Sequence, residues 1–140
     1  MNKQVDHRTQ AERDAYRLLY AGFVAAPIVA GVDKFFDKLG FWDKYLSDKV
    51  ADKLPTTRHT FMEAVGVIEV VAGVLVAAKP KWGGYVVGAW LAGIVANLWT
   101  KPQYRDIALR DLGLALGALA LARLAQDAPE ETATLQLRSA

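Results

Sequence analysis

Residues 61–78 read FMEAVGVIEVVAGVLVAA, an apolar run that carries Glu63 near its start and Glu69 near its middle. Ionisable residues inside membrane spans are rare and expensive, and they turn toward the interior of a bundle. On a helix, Met62, Gly66, Glu69, Gly73 and Ala77 fall on one seam, at spacings of four, three, four and four. The glycines let a second helix approach closely, and the glutamate sits between them. This stretch predicts the central helix of a small membrane bundle with a carboxylate on its inward face.

Three further runs have the same character. Residues 16–32 form a first span. Their uncharged core, 18–32, is shorter than the roughly 20 residues a crossing needs, so Tyr16, Arg17 and Tyr20 extend it as interfacial side chains. Pro27 lies inside it, and Gly22, Ala26 and Ala30 make a small-residue row. Residues 82–100 carry no charge and repeat Gly84, Gly88, Ala92 and Ala96 at four-residue spacing. Trp90 and Asn97 are the polar exceptions in that span, and the Trp90 indole N–H, near mid-membrane, should seek an acceptor such as Glu69. Residues 106–124 make a fourth span, with a Gly113/Gly117 pair, an Asp106–Arg110 pairing at i,i+4, and Arg110 and Asp111 drawn toward the bilayer. The Lys79-Pro80-Lys81 turn is so short that the flanking helices must run antiparallel.

Between the first two spans, residues 33–60 hold five Asp-Lys pairs, beginning at Asp33, Asp37, Asp43, Asp48 and Asp52. Phe35, Leu39, Trp42, Leu46, Val50 and Leu54 recur at helical spacing. The expectation is an amphipathic helix in the interface plane, interrupted at Gly40, capping the bundle or acting as a gating lid. Thr57 or Thr60 should cap the following helix, and Thr60 with Glu63 fits a capping box. The polar ends, 1–15 and 126–140, read as tails around a membrane domain at 16–125.

Composition narrows the function classes. The chain has 140 residues, 53% of them hydrophobic, and a net charge of +2. That charge is not concentrated as a nucleic-acid binder requires, so no nucleic-acid partner is expected. There is no cysteine, which removes disulfides, thiolate metal sites and cysteine nucleophiles. The two histidines, His7 and His59, lie outside the apolar runs, so no metal site is expected. Glu63 and Glu69 stand about 240° apart around a helix and make no acid–base dyad. No nucleophile elbow, phosphate loop or metalloprotease motif occurs. Basic residues number eight on the N-terminal side and nine on the other, so the positive-inside rule leaves orientation open.

The polar intramembrane set is Lys34, Glu69, Trp90, Asn97, Arg110 and Asp111, with Asp33, Glu63 and Asp106 at the membrane edges. Two readings of Glu69 stay open. It carries a proton or binds a polar head group such as a quinone carbonyl, or it pairs with Arg110 or Lys34 and only fixes helix register.

Gly31-Val32-Asp33-Lys34-Phe35 at the end of the first span, and Gly66-Val67-Ile68-Glu69-Val70-Val71-Ala72-Gly73-Val74-Leu75 in the second, resemble the DoxX-like family of small bacterial four-helix membrane proteins. The third span and the run from Arg110-Asp111-Leu112 to Leu124 also fit. The resemblance implies an all-α, four-helix transmembrane bundle in the bacterial inner membrane. Some relatives are membrane subunits of quinone-linked oxidoreductases and many have no assigned activity, so the resemblance fixes no cofactor: quinone is a candidate, membrane oxidoreductase subunits are candidate partners, and no catalytic residue carries over. Three functions follow as expectations: a quinone-linked, redox-associated membrane subunit with Glu69, Trp90 and Arg110 lining a polar pocket; a non-catalytic scaffold or assembly partner, alone or as a homo-oligomer; and a small proton-coupled transporter.

Overall fold

A computed structural model of the chain describes residues 8–126. The described residues are helical, with no strand: α1 (Gln10–Asp33), α2 (Asp48–Ala51), α3 (Arg58–Ala78), α4 (Pro80–Trp99) and α5 (Arg105–Gln126), with short 3-10 turns at Trp42–Tyr45 and Pro102–Tyr104. The expected C-terminal tail after Gln126, and the first seven residues, lie outside the described residues.

Local chemistry sets the helix ends. Thr9 opens α1 with a full capping box: Glu12 N donates to Thr9 Oγ1 at 3.2 Å, and Thr9 N donates to Glu12 Oε2 at 3.1 Å. Helix α1 starts well before the expected span and runs through Pro27 to Asp33. Thr57 caps α3, its hydroxyl accepting from Thr60 N at 3.2 Å. The Thr60–Glu63 capping box is not formed, because Glu63 turns to His59, one helical turn back. Pro80 starts α4 at the position where a missing N–H is harmless.

Small residues fix how the helices meet. A Cβ added to Gly31 would stand 2.5 Å from the Gly66 carbonyl oxygen, and one added to Gly66 would stand 2.5 Å from that of Gly31. Gly73 lies against Val24 and Ile28, and the Tyr20 hydroxyl donates to Ala77 O at 2.8 Å. Higher positions on α1 thus meet lower ones on α3, so the two run antiparallel. Helices α4 and α5 pair the same way, Gly84 against Ala118 and Ala122, and Gly88 against Leu119. Gly83 presses on the Val76 backbone beside the α3–α4 turn, and Gly117 meets Phe23 of α1.

Some expected contact rows face outward. Gly22 and Gly113 have open space where a side chain would be, and Ala26, Ala92 and Ala96 are exposed. Four-residue spacing puts small residues on one face but does not say which face has a neighbour.

The connection after α1 departs most from the periodicity. It is not one amphipathic helix. The Asp33 carboxylate accepts from the backbone N–H groups of Lys38 (3.0 Å) and Leu39 (3.1 Å), and from Trp42 Nε1 (2.9 Å). Asp37 takes a positive φ of 52° in this reversal. These bonds replace the helical ones residues 37–42 would otherwise make, and only a 3-10 turn and the four-residue α2 follow. Trp42, Leu46 and Leu54 nevertheless pack inward with Met62 and Val65, while Phe36, Leu39, Phe41 and Val50 stay exposed.

Candidate functional site

The site lies where the connection folds over the start of α3. Lys34 is the first residue past α1, and its side chain runs along α3 to Glu69, in the middle of that helix. Nζ donates to Glu69 Oε2 at 2.6 Å, with the two side chains 3% and 11% exposed. The approach is close because Gly66 has no side chain: a Cβ there would fall 3.1 Å from Lys34 Cβ. The Trp42 ring covers the ammonium, 3.9 Å from Nζ to the ring centroid. Trp42 is held in that pose by its N–H bond to Asp33. The result is a sequence of contacts, Asp33 to Trp42 to Lys34 to Glu69, with Trp42 itself packed against the cluster of Leu46, Met62 and Val65.

The sequence-derived set divides on the structure. Lys34 and Glu69 come together. Arg110 does not reach Glu69, nor does it pair with Asp106. Its guanidinium donates to the neighbouring Asp111 Oδ1 at 3.1 and 3.2 Å, with Arg110 68% exposed and Asp111 10% exposed. Asp111 faces inward, and turning back to it gives Arg110 a partner without leaving the outer surface of α5. Trp90 packs on the cluster of Leu46, Met62 and Val65, but its Nε1 is sealed from solvent without an acceptor, so the expected bond to Glu69 is not formed. Asn97 serves the connection instead. Ser47 N donates to its Oδ1 at 2.8 Å, and its Nδ2 donates to Tyr45 O at 2.7 Å.

Asn97→Ala is expected to release the connection, since two backbone groups lose their partners at about 1–3 kcal/mol each if they stay buried. Limited proteolysis should then cut faster at Lys44 and Lys49 than in the unsubstituted chain. An unchanged cleavage rate would mean that packing alone holds this segment.

The sequence places Asp33 only at the membrane edge and does not single out His59 as a site residue. Asp33 reads as one member of an Asp-Lys pair, and its signal is weak: it lies where α1 must end, ahead of a turn residue at Gly40. His59 stands between two carboxylates, Nε2 3.2 Å from Glu63 Oε1 and Nδ1 3.5 Å from Asp43 Oδ1. The Glu63 half has a signal in the sequence, an i,i+4 spacing. The Asp43 half needs the folded connection.

An open groove of about 330 Å³ runs between α3 and α4, lined by Ile68, Ala72, Val86, Ala89 and Trp90. Its walls are nearly all apolar. Among the described residues, no group of three or more acidic or histidine side chains is placed to hold a metal ion.

Among the described residues, helices α1 and α3 are long and apolar enough to cross a membrane, by length and composition. Three tryptophans, Tyr85 and Asn97 dilute α4, and Arg105, Asp106, Arg110 and Asp111 crowd the start of α5. No protein-family model, curated protein or solved structure matches the chain.

Proposed function

We propose that the chain is an integral membrane protein whose four long helices all cross the bilayer, and that it serves as a non-catalytic subunit of the DoxX-like kind, an assembly partner for other membrane proteins. One observation carries this reading: large apolar side chains cover the outer surface of the long helices, which a water-soluble fold would bury. Leu18 (75% exposed), Val71 (61%), Leu109 (61%) and Leu116 (62%) stand outside, while the inside holds Ala72, Ala108, Ala115, Ala118 and Ala122 and the Lys34–Glu69 pair beside a smaller set of large side chains, among them Val76, Val87, Leu98 and Leu121. In water such a surface would aggregate. In lipid, tails satisfy large apolar side chains, and small residues let helices pack. Only 6% of the apolar window of α1 is buried, against the mostly buried state of a soluble core helix. Arg110 and Lys101 near one end of the helices can snorkel to the interface.

Glu69 favours a structural role because its charge is already matched by Lys34 at 2.6 Å. A proton carrier would have to break that pair on every cycle. The redox-associated reading rests on a different feature, the open apolar groove beside Trp90.

Native mass spectrometry of the protein extracted from its own membranes at natural abundance tests the proposal. The expected species is the chain in complex with another membrane protein. A bare monomer carrying only phospholipid would overturn the subunit reading. Bound quinone in the complex would assign the groove to the redox reading, and pH-driven flux in liposomes, lost in Glu69→Gln, would replace both with transport.

A further inference from the structure

Residues 33–53 look electroneutral in sequence, since each lysine follows an aspartate. Folding separates the pairs. Asp33 is buried, its carboxylate taken by Lys38 N, Leu39 N and Trp42 Nε1. Asp37 is half-buried in the reversal, and Asp43 turns in toward His59 Nδ1 at 3.5 Å. Of the lysines that follow these aspartates, Lys34 is consumed by Glu69, but Lys38 and Lys44 remain on the outside. Lys38 has no ion-pair partner among the described residues, and Lys44 lies over the Tyr45 ring at 5.0 Å. Between and beside these two lysines stand Phe36 (65% exposed), Leu39 (70%) and Phe41 (56%).

The outer face of residues 36–44 is therefore basic and aromatic, although the segment as a whole is neutral. It is also held in one shape, because the three bonds to Asp33 fix the backbone that displays those side chains. Aromatic and aliphatic groups that seat at the acyl boundary, with lysines at the level of the phosphates, make up the chemistry that recognises an anionic lipid surface. Asp48, held by Arg58, and the exposed Asp52, Lys49 and Lys53 lie past this face and leave its charge unchanged.

The geometry points to a binding site for anionic phospholipid head groups on this face: Lys38 and Lys44 take the phosphates of the leaflet into which Phe36, Leu39 and Phe41 insert. The inference rests on the membrane-spanning reading above and adds to it a lipid class and a set of residues. The occupant is the leaflet of the protein's own membrane.

The absence of cysteine allows a clean test. Leu39→Cys and, separately, Val71→Cys are labelled with an environment-sensitive fluorophore, and the full chain is reconstituted in phosphatidylcholine vesicles with and without a quarter phosphatidylglycerol. Both sites are exposed in the fold, so neither label disturbs the core. The label at residue 39 is expected to be quenched by lipids brominated near the head of the acyl chain, more strongly with phosphatidylglycerol present. Lys38→Gln and Lys44→Gln should each weaken the preference for phosphatidylglycerol about fivefold. Quenching at residue 71 but not at 39 overturns the inference and leaves the membrane reading standing. Quenching at neither overturns the membrane reading itself. Quenching at 39 that is indifferent to phosphatidylglycerol and to both lysines overturns the head-group assignment.

Discussion

Glu69→Gln is expected to destabilise the folded chain by about 3 kcal/mol, and the double substitution Lys34→Met/Glu69→Leu to restore most of that loss. Removing one partner of a buried ion pair leaves the other charge desolvated and unmatched, at about 3–5 kcal/mol, whereas replacing both with apolar groups of similar volume is often neutral or stabilising. The asymmetry is sharp here because the Lys34 ammonium has one carboxylate at 2.6 Å and one aromatic face, and is only 3% exposed. The amide of the single variant still accepts a hydrogen bond, which places its loss at the lower end of that range. Denaturant titration in mixed detergent–lipid micelles, followed by far-UV dichroism, reads both variants. The double variant also separates the two roles left open for Glu69. A pair that only sets helix register predicts that the restored fold gives the same species in native mass spectrometry as the parent chain. A pair with a chemical duty predicts a stable but inactive protein. If the single variant were as stable as the parent, the pair would not be desolvated as its exposure indicates.

Gly31→Ala is expected to have an effect of similar size, about 3 kcal/mol, at the upper end of overpacking penalties. The reason is the identity of the obstacle. The new methyl group would fall 2.5 Å from the Gly66 carbonyl oxygen and 3.1 Å from Val70 N, and backbone atoms of a helix cannot rotate out of the way as a side-chain tip can. Helices α1 and α3 would have to separate, which also lengthens the reach of Lys34 to Glu69. Gly22→Ala is the matched comparison, on the same helix with nothing within 4 Å of the added carbon. There the gain in helix propensity, up to about 1 kcal/mol, should appear alone. Opposite signs for the two substitutions in one unfolding assay would establish the α1–α3 contact. Equal small effects would mean that the helices do not meet at Gly31.

How much of this was legible follows from the kind of signal each feature leaves. Helices α3 and α4 were readable because an apolar run bounded by Thr57, Lys79-Pro80 and Lys101-Pro102 has few alternatives to a helix. The inward seam of α3 was readable through Met62, Gly66, Glu69 and Gly73, because residues three and four apart share a face. The connection misled because periodicity measures which residues want to be covered, not whether the backbone between them stays helical. Trp42, Leu46 and Leu54 do turn inward, yet through a reversal and two short turns. A single carboxylate, that of Asp33, competes successfully for the N–H groups a helix would have used, a competition that short polar side chains often win near helix ends.

The candidate site shows the same division. Glu69 could be singled out from sequence because a carboxylate in an apolar run is expensive wherever it sits. Its partner could not. Lys34 and Arg110 are both cations within the polar set, and the choice depends on Gly66 leaving room for one of them while Arg110 finds Asp111 beside it. The amino-acid sequence by itself determined the helical class, the apolar runs and the residues that demand a partner, because these depend on propensity, periodicity and the cost of burying charge, which are local. Tertiary structure alone decided which glycine met a backbone, which cation met Glu69 and which aspartates turned away from their lysines. Those outcomes depend on distances between segments far apart in the chain, and such distances are set only when all the helices pack together.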